Sequence, residues 1–242
     1  MRVVAIVQAR TGSTRLPRKV LADLAGAPVL DRVMARLGRC EHLDAVAVAT
    51  TVESGDDELA EHCAQRGWPV TRGSEQDVLD RYYQAARAHD AEAVARITSD
   101  CPLIEPRVVD RVVGQFLARQ PDVDYVSNVV PTRTYPRGLD TEVFSFAALE
   151  RAWREDDRPA FREHVTPYIY NNPELFSVHC VEHERDLSDQ RWTVDTPEDM
   201  ELVRRIYGAL GGDAFTWDQV LALLDEHPDW VELNRHVEQK KV

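Results

Sequence analysis

Lysine is scarce in this chain. Twenty-six of its 29 basic side chains are arginine, yet the loop Ala9-Arg10-Thr11-Gly12-Ser13-Thr14-Arg15-Leu16-Pro17-Arg18-Lys19, which follows the first apolar run, ends in lysine. Only Lys240 and Lys241, in the C-terminal tail, share that chemistry. An ammonium is a compact point charge with rotatable donors, and phosphate is the ligand it suits in such a loop. Gly12, Ser13 and Thr14 let backbone N–H groups approach an anion, so the segment can form a cradle with Arg10, Arg15, Arg18 and Lys19 around it. Residues 1–22 carry five basic side chains and no acidic one, in a protein of net charge −13. The competing reading is a solvated basic loop.

Two carboxylates stand where apolar runs end. Asp100, in Thr98-Ser99-Asp100-Cys101-Pro102, and Asp195, just before Thr196 and Pro197, are hard oxygen donors that can hold Mg²⁺ together with water and phosphate oxygens. Either can equally be an Asx turn or a helix cap.

A second polar group lies between Arg133 and His164. Arg133, Arg137 and Asp140 flank Tyr135-Pro136 and Gly138, and Arg162-Glu163-His164 follows. An arginine beside a glycine can receive a carboxylate or phosphate of a second substrate, or can line a solvated loop. His179, Cys180 and His183 lack a fourth ligand and read as an ordinary strand. Asp122-Val123-Asp124 follows Gln120-Pro121 and reads as a turn. There is no GxGxxG or GxxxxGK[ST] segment.

These groups need strand ends to converge. Val3 to Gln8 reads as a buried strand, Pro28 to Gly38 as a helix, and Ala45 to Thr50 as a second strand. The rhythm continues with helices over 56–66 and 77–89, strands near Val70 and over 93–98, and a helix over 106–119. That alternation predicts an α/β fold with a mainly parallel sheet, helices on both faces and ligands at the carboxyl ends of the strands. The next part reads as inserted or antiparallel, with strands near Tyr125, Glu142 and Val178 and helices over 147–153 and 161–170. A strand over 191–194 and two capped helices, opened by Thr196 and Thr216, complete the pattern. One domain over 1–242 is expected, with 228–242 as a C-terminal extension.

A pI near 5.1 with no basic stripe argues against nucleic acid as a partner. Cys40, Cys63, Cys101 and Cys180 form no CxxC pair, and Val3 to Val7 is too short for a signal peptide or membrane span, so the cytoplasm is the expected compartment.

With these residues in view, the chain resembles the cytidylyltransferases that include the acylneuraminate and ketodeoxyoctonate nucleotide-activating enzymes. It most resembles the spore coat polysaccharide biosynthesis protein F group. The likeness rests on Gln8-Ala9-Arg10, Ser13-Thr14-Arg15-Leu16-Pro17, Lys19, Arg72-Gly73-Ser74, Ser99 to Ile104, Tyr135 to Glu142, Arg162-Glu163-His164 and Arg191 to Asp199. It implies a single-domain, Rossmann-like fold of the glycosyltransferase-A type, CTP and Mg²⁺ as ligands, and a homodimer.

Carried over by position, the resemblance implies that Arg10 and Lys19 grip the triphosphate beside Ala9, Gly12 and Ser13. Arg72, Gly73 and Ser74 would lie near the base or ribose, and Asp100 and Asp195 would hold the metal. Arg133, Arg137, Asp140 and His164 are expected on the acceptor side. The expected reaction transfers CMP to a sugar, sugar acid or other small anionic acceptor and releases pyrophosphate. The rival readings are a glycosyltransferase of the same fold that consumes a nucleotide sugar, and a nucleotide-binding protein without turnover.

Overall fold

The computed structural model describes residues 1–238, so the end of the expected extension, 239–242, lies outside the described residues. The first strand, β1 (Val3–Gln8), lies inside the sheet. Val3, Ala5 and Val7 enter one apolar cluster and Val4 and Ile6 another, which is why this strand reads as an unbroken hydrophobic run. Next come a two-stranded antiparallel ribbon, β2 (Asp23–Leu24) with β3 (Ala27–Pro28), and α1 (Val29–Leu37).

The parallel half follows the expected rhythm. β4 (Ala45–Thr51), α2 (Asp57–Gln65), β5 (Val70–Gly73), α3 (Val78–Ala88), β6 (Ala93–Thr98) and α4 (Pro106–Ala118) alternate along the chain. Helices α1, α2 and α4 cover one face of the sheet and α3 the other. β4 and then β5 lie on one side of β1, whereas β6 lies on the other. The strand order therefore reverses next to β1, where such sheets open a ligand crevice. Gln8 and Thr98 pair across that reversal.

The remaining strands are β7 (Tyr125–Ser127), β8 (Glu142–Ser145) and β9 (Val178–Cys180). β8 runs antiparallel to both β6 and β7, and β9 pairs parallel with β7, giving the seven-stranded order β5-β4-β1-β6-β8-β7-β9. α5 (Phe146–Glu155) packs on the same face as α3. The single helix expected over 161–170 is two, α6 (Pro159–His164) and α7 (Pro167–Tyr170). Val165 breaks it with a φ of 71°, a positive value that a β-branched residue rarely adopts.

The strand expected over 191–194 is absent from the sheet. Arg191 forms only an isolated bridge to Arg137, while Trp192 and Val194 bury themselves in a third apolar cluster beneath α8 (Pro197–Leu210) and α9 (Trp217–Glu226). Their alternation records burial rather than a ladder. Gly138 makes the contact possible, because a Cβ there would stand 2.8 Å from the Trp192 carbonyl carbon. A short helix, α10 (Pro228–Val231), begins the C-terminal segment. Among the described residues, no helix is long and apolar enough to cross a membrane.

Candidate active site

The loop after β1 is pinned from below by Asp56. One carboxylate oxygen accepts from Thr11 N and Thr11 Oγ1, each at 2.7 Å, and the other accepts from the Thr51 hydroxyl. Burial pushes the Asp56 carboxyl up, but the Thr51 and Thr11 hydrogen bonds outweigh it and leave it below its ordinary value. Arg18 then adopts a left-handed backbone (φ 59°), and a 3₁₀ turn over Lys19–Leu21 carries the lysine inward.

Lys19 Nζ lies 3.0 Å from Asp100 Oδ2 and 2.7 Å from Asp195 Oδ1. The ammonium thus joins a carboxylate following β6 to one preceding α8. Burial works against its charge, yet the two aspartates outweigh burial and raise its pKa. Burial likewise pushes Asp100 up, but the Lys19 ammonium and the Thr98 hydroxyl at 2.6 Å hold it at about 2. Asp195 also takes Arg15 at 2.9 Å and Arg191 at 2.8 Å. Arg191 in turn pairs with Asp199, which caps α8, and Asn234 bonds both Asp199 and the Arg191 carbonyl.

These groups face a cleft of about 330 Å³ at the strand-order reversal. Ala9, Arg10, Gly12, Ser13, Lys19, Asp100, Asp195 and His164 all line it. Arg10 pairs with Glu75 at 2.8 Å across the opening. Burial, aided by Arg96 against Glu163, lowers the pKa of His164. Arg18, read as part of the cradle, instead turns to Glu58 on α2.

Other expected residues lie elsewhere. Arg72 is not among the residues that line the cleft and donates to the Thr51 carbonyl at 2.8 Å and to Asp57 at 2.7 Å. Ser74 accepts from the N–H groups of Gln76 and Asp77, and Gly73 meets the cleft only through Arg81, whose side chain crosses it. Arg133 and Asp140 form a bidentate pair at 2.5 and 2.7 Å. Arg137 lines a separate cavity of about 510 Å³ with Arg191 and Asn234.

The sequence reading missed Arg81, Arg191 and Asn234. Arg81 was findable: Val78, Tyr82 and Ala85 mark the buried face of α3, and an arginine at the third step falls on that face. Arg191 and Asn234 come together only through the C-terminal fold, which no local spacing announces.

The two aspartates suit a hard divalent cation through their oxygens, with ligand phosphates and water completing its shell. Among the described residues, no group of three or more acidic, histidine or cysteine side chains is arranged to hold a metal by itself.

A doubly covered α/β sheet with a basic, glycine-bearing loop and two aspartates bridged by a lysine at its reversal describes a nucleotidyltransferase. The chain belongs to the cytidylyltransferase family, whose model matches residues 4–239. It is 33% identical over 237 residues to the spore coat polysaccharide biosynthesis protein SpsF of Bacillus subtilis, covering 94% of this chain and 95% of that protein. A 3-deoxy-manno-octulosonate cytidylyltransferase of Anaeromyxobacter dehalogenans is 30% identical, with 86% and 98% covered. The structure of a cytidylyltransferase from Leptospira borgpetersenii superposes over 100% of both chains with a TM-score of 0.91 and 32% identity.

Proposed function

We propose that this enzyme transfers CMP from CTP to a sugar, sugar acid or other small anionic acceptor in the making of a polysaccharide or glycoconjugate precursor. An acceptor oxygen attacks the α-phosphorus, the bond to the β-phosphate oxygen breaks, pyrophosphate leaves with that electron pair, and the acceptor proton passes to solvent. The observation that carries this reading is the meeting of Lys19, Asp100 and Asp195 in the cleft beneath the Gly12-Ser13 loop.

Such a transfer asks for positioning and charge neutralisation more than covalent chemistry. Arg10, Arg15 and Lys19 supply positive charge to the triphosphate, and backbone N–H groups of the loop supply donors. Asp100 and Asp195 would hold Mg²⁺, which when bound neutralises phosphate charge. The names of the similar proteins support a carbohydrate acceptor. A homodimer in the cytoplasm, where CTP is made, completes the proposal; sedimentation equilibrium tests the assembly.

The deciding assay offers each of the four ribonucleoside triphosphates with a panel of sugars and sugar acids and reads pyrophosphate. CTP with one acceptor class should release it. Consumption of a nucleotide sugar without pyrophosphate would establish the glycosyltransferase instead, and CTP binding without turnover on any acceptor would establish a silent nucleotide-binding protein.

A further inference from the structure

Among the described residues, one buried cation is left out of the network of pairs. Arg81 is 3% exposed, on the face of α3 that packs against the sheet. Its Nε and Nη1 are buried with no hydrogen-bond partner, although every other arginine around the cleft is paired. A guanidinium carries only donors and does not shed its proton, so burying it without acceptors is unfavourable unless a ligand brings them. The position is built for it. A Cβ at Gly73 would come within 2.7 Å of Arg81 Cγ, so the glycine clears the path of the arginine stem into the cleft wall.

The cleft is polarised. Asp100 follows β6 and Gly73 ends β5, and in the order β5-β4-β1-β6 these strands are three steps apart. At about 4.8 Å per step that is roughly 14 Å, enough to separate a triphosphate from its base. Lys19 and the aspartates mark the phosphate end. Arg81, beside Gly73, lines the cleft with Val78 and with Glu75, whose carboxylate is engaged by Arg10 at 2.8 Å.

Resting on the CTP reading above, we propose that Arg81 reads the base, donating to the adjacent O2 and N3 acceptors of cytosine. Uracil offers O2 but carries a hydrogen on N3, which confronts one of the arginine donors. The planar fork that fits cytosine therefore rejects uracil, and the site selects by mismatch as well as by match.

Calorimetric titration of CTP and UTP, with Mg²⁺ present, into wild type and Arg81→Met tests this. Methionine keeps the apolar stem and removes the donors. Wild type should prefer CTP, and Arg81→Met should lose about 10- to 100-fold in CTP affinity with UTP nearly unchanged, the worth of one bidentate pair against the wrong base. Equal losses for both nucleotides would put Arg81 on the ribose or phosphates and overturn the base assignment alone, as would no loss at all. A wild type that prefers UTP, or binds neither, overturns the CTP reading and this inference with it. If Arg81→Met does not fold, the Arg81 Nε–H resonance of wild type decides: CTP must shift it, and an equal shift by UTP refutes the proposal.

Discussion

Lys19 and Asp195 meet at 2.7 Å across 176 residues of chain, and the same ammonium touches Asp100 at 3.0 Å. Arg15 and Arg191 also hold Asp195, and the one ammonium bridges it to Asp100. Removing that ammonium should do two things. Lys19→Ala should lower turnover with CTP by about 100-fold, the usual cost of one preorganised charge, with Lys19→Arg less impaired. It should also clear the cation from between Asp100 and Asp195, so that Mn²⁺ binds there more tightly without nucleotide, an increase in affinity that electron paramagnetic resonance detects. Wild-type kinetics in Lys19→Ala would take this loop out of the mechanism.

Asp100 and Asp195 differ in their surroundings, and that difference is measurable. Asp100→Asn removes a carboxylate held by Lys19 and Thr98, whereas Asp195→Asn also weakens pairs with Arg15 and Arg191. Both should weaken Mg²⁺-dependent turnover, and the double variant should be little worse than either, because residues serving one ion are non-additive. Only Asp195→Asn should also lower the melting temperature appreciably. Activity that persists in excess chelator, or losses that simply multiply, would refute the shared metal.

Asp56 gives the loop its shape without touching the cleft. Replacing it by alanine strands the Thr11 N–H and the Thr51 hydroxyl, while the Thr11 hydroxyl keeps the Gly55 carbonyl at 2.9 Å, and should destabilise the fold by about 3 kcal/mol in urea titration. The pH dependence follows from its lowered pKa. The ionised form is stabilised by folding, so its contribution is present above the ordinary value of 3.8 and is lost as pH falls through the lower folded value. Asp56→Asn should therefore flatten the acid limb of the stability profile, and an unchanged limb would argue against this anchor.

How much of this was legible depended on whether a residue's partners were local. β1, the loop to Lys19 and the aspartates after β6 and before α8 follow from apolar runs broken by turn residues, and a parallel sheet brings such ends together. Trp192 and Val194 misled because alternation reports one-sided burial, and the C-terminal helices supply that burial as well as a sheet does. Arg72 looked like a ligand residue because arginine in a glycine-bearing segment looks available. Nothing nearby in sequence revealed that Thr51, Glu53 and Asp57 take the donors of its Nε and Nη2.

The residues read together as an acceptor site are divided by the fold, and their substitution should separate in the same way. Arg133 is 13% exposed at its side chain and spends both arms of its guanidinium on Asp140. Arg133→Ala should thus cost stability, about 1 to 3 kcal/mol for the lost charged hydrogen bonds, while leaving the affinity for CTP unchanged. His164 is the member of the set that faces the cleft, and its lowered pKa keeps the ring neutral at neutral pH, able to bond a hydroxyl rather than attract an anion. His164→Ala should raise the acceptor KM several-fold, with CTP affinity within about twofold of wild type and the melting temperature preserved. Arg137, in the neighbouring cavity beside Arg191 and Asn234, should show a smaller KM effect. Acceptor kinetics and CTP calorimetry on the three variants check this order, and a larger acceptor defect in Arg137→Ala than in His164→Ala would move the acceptor out of the main cleft and into the cavity behind it.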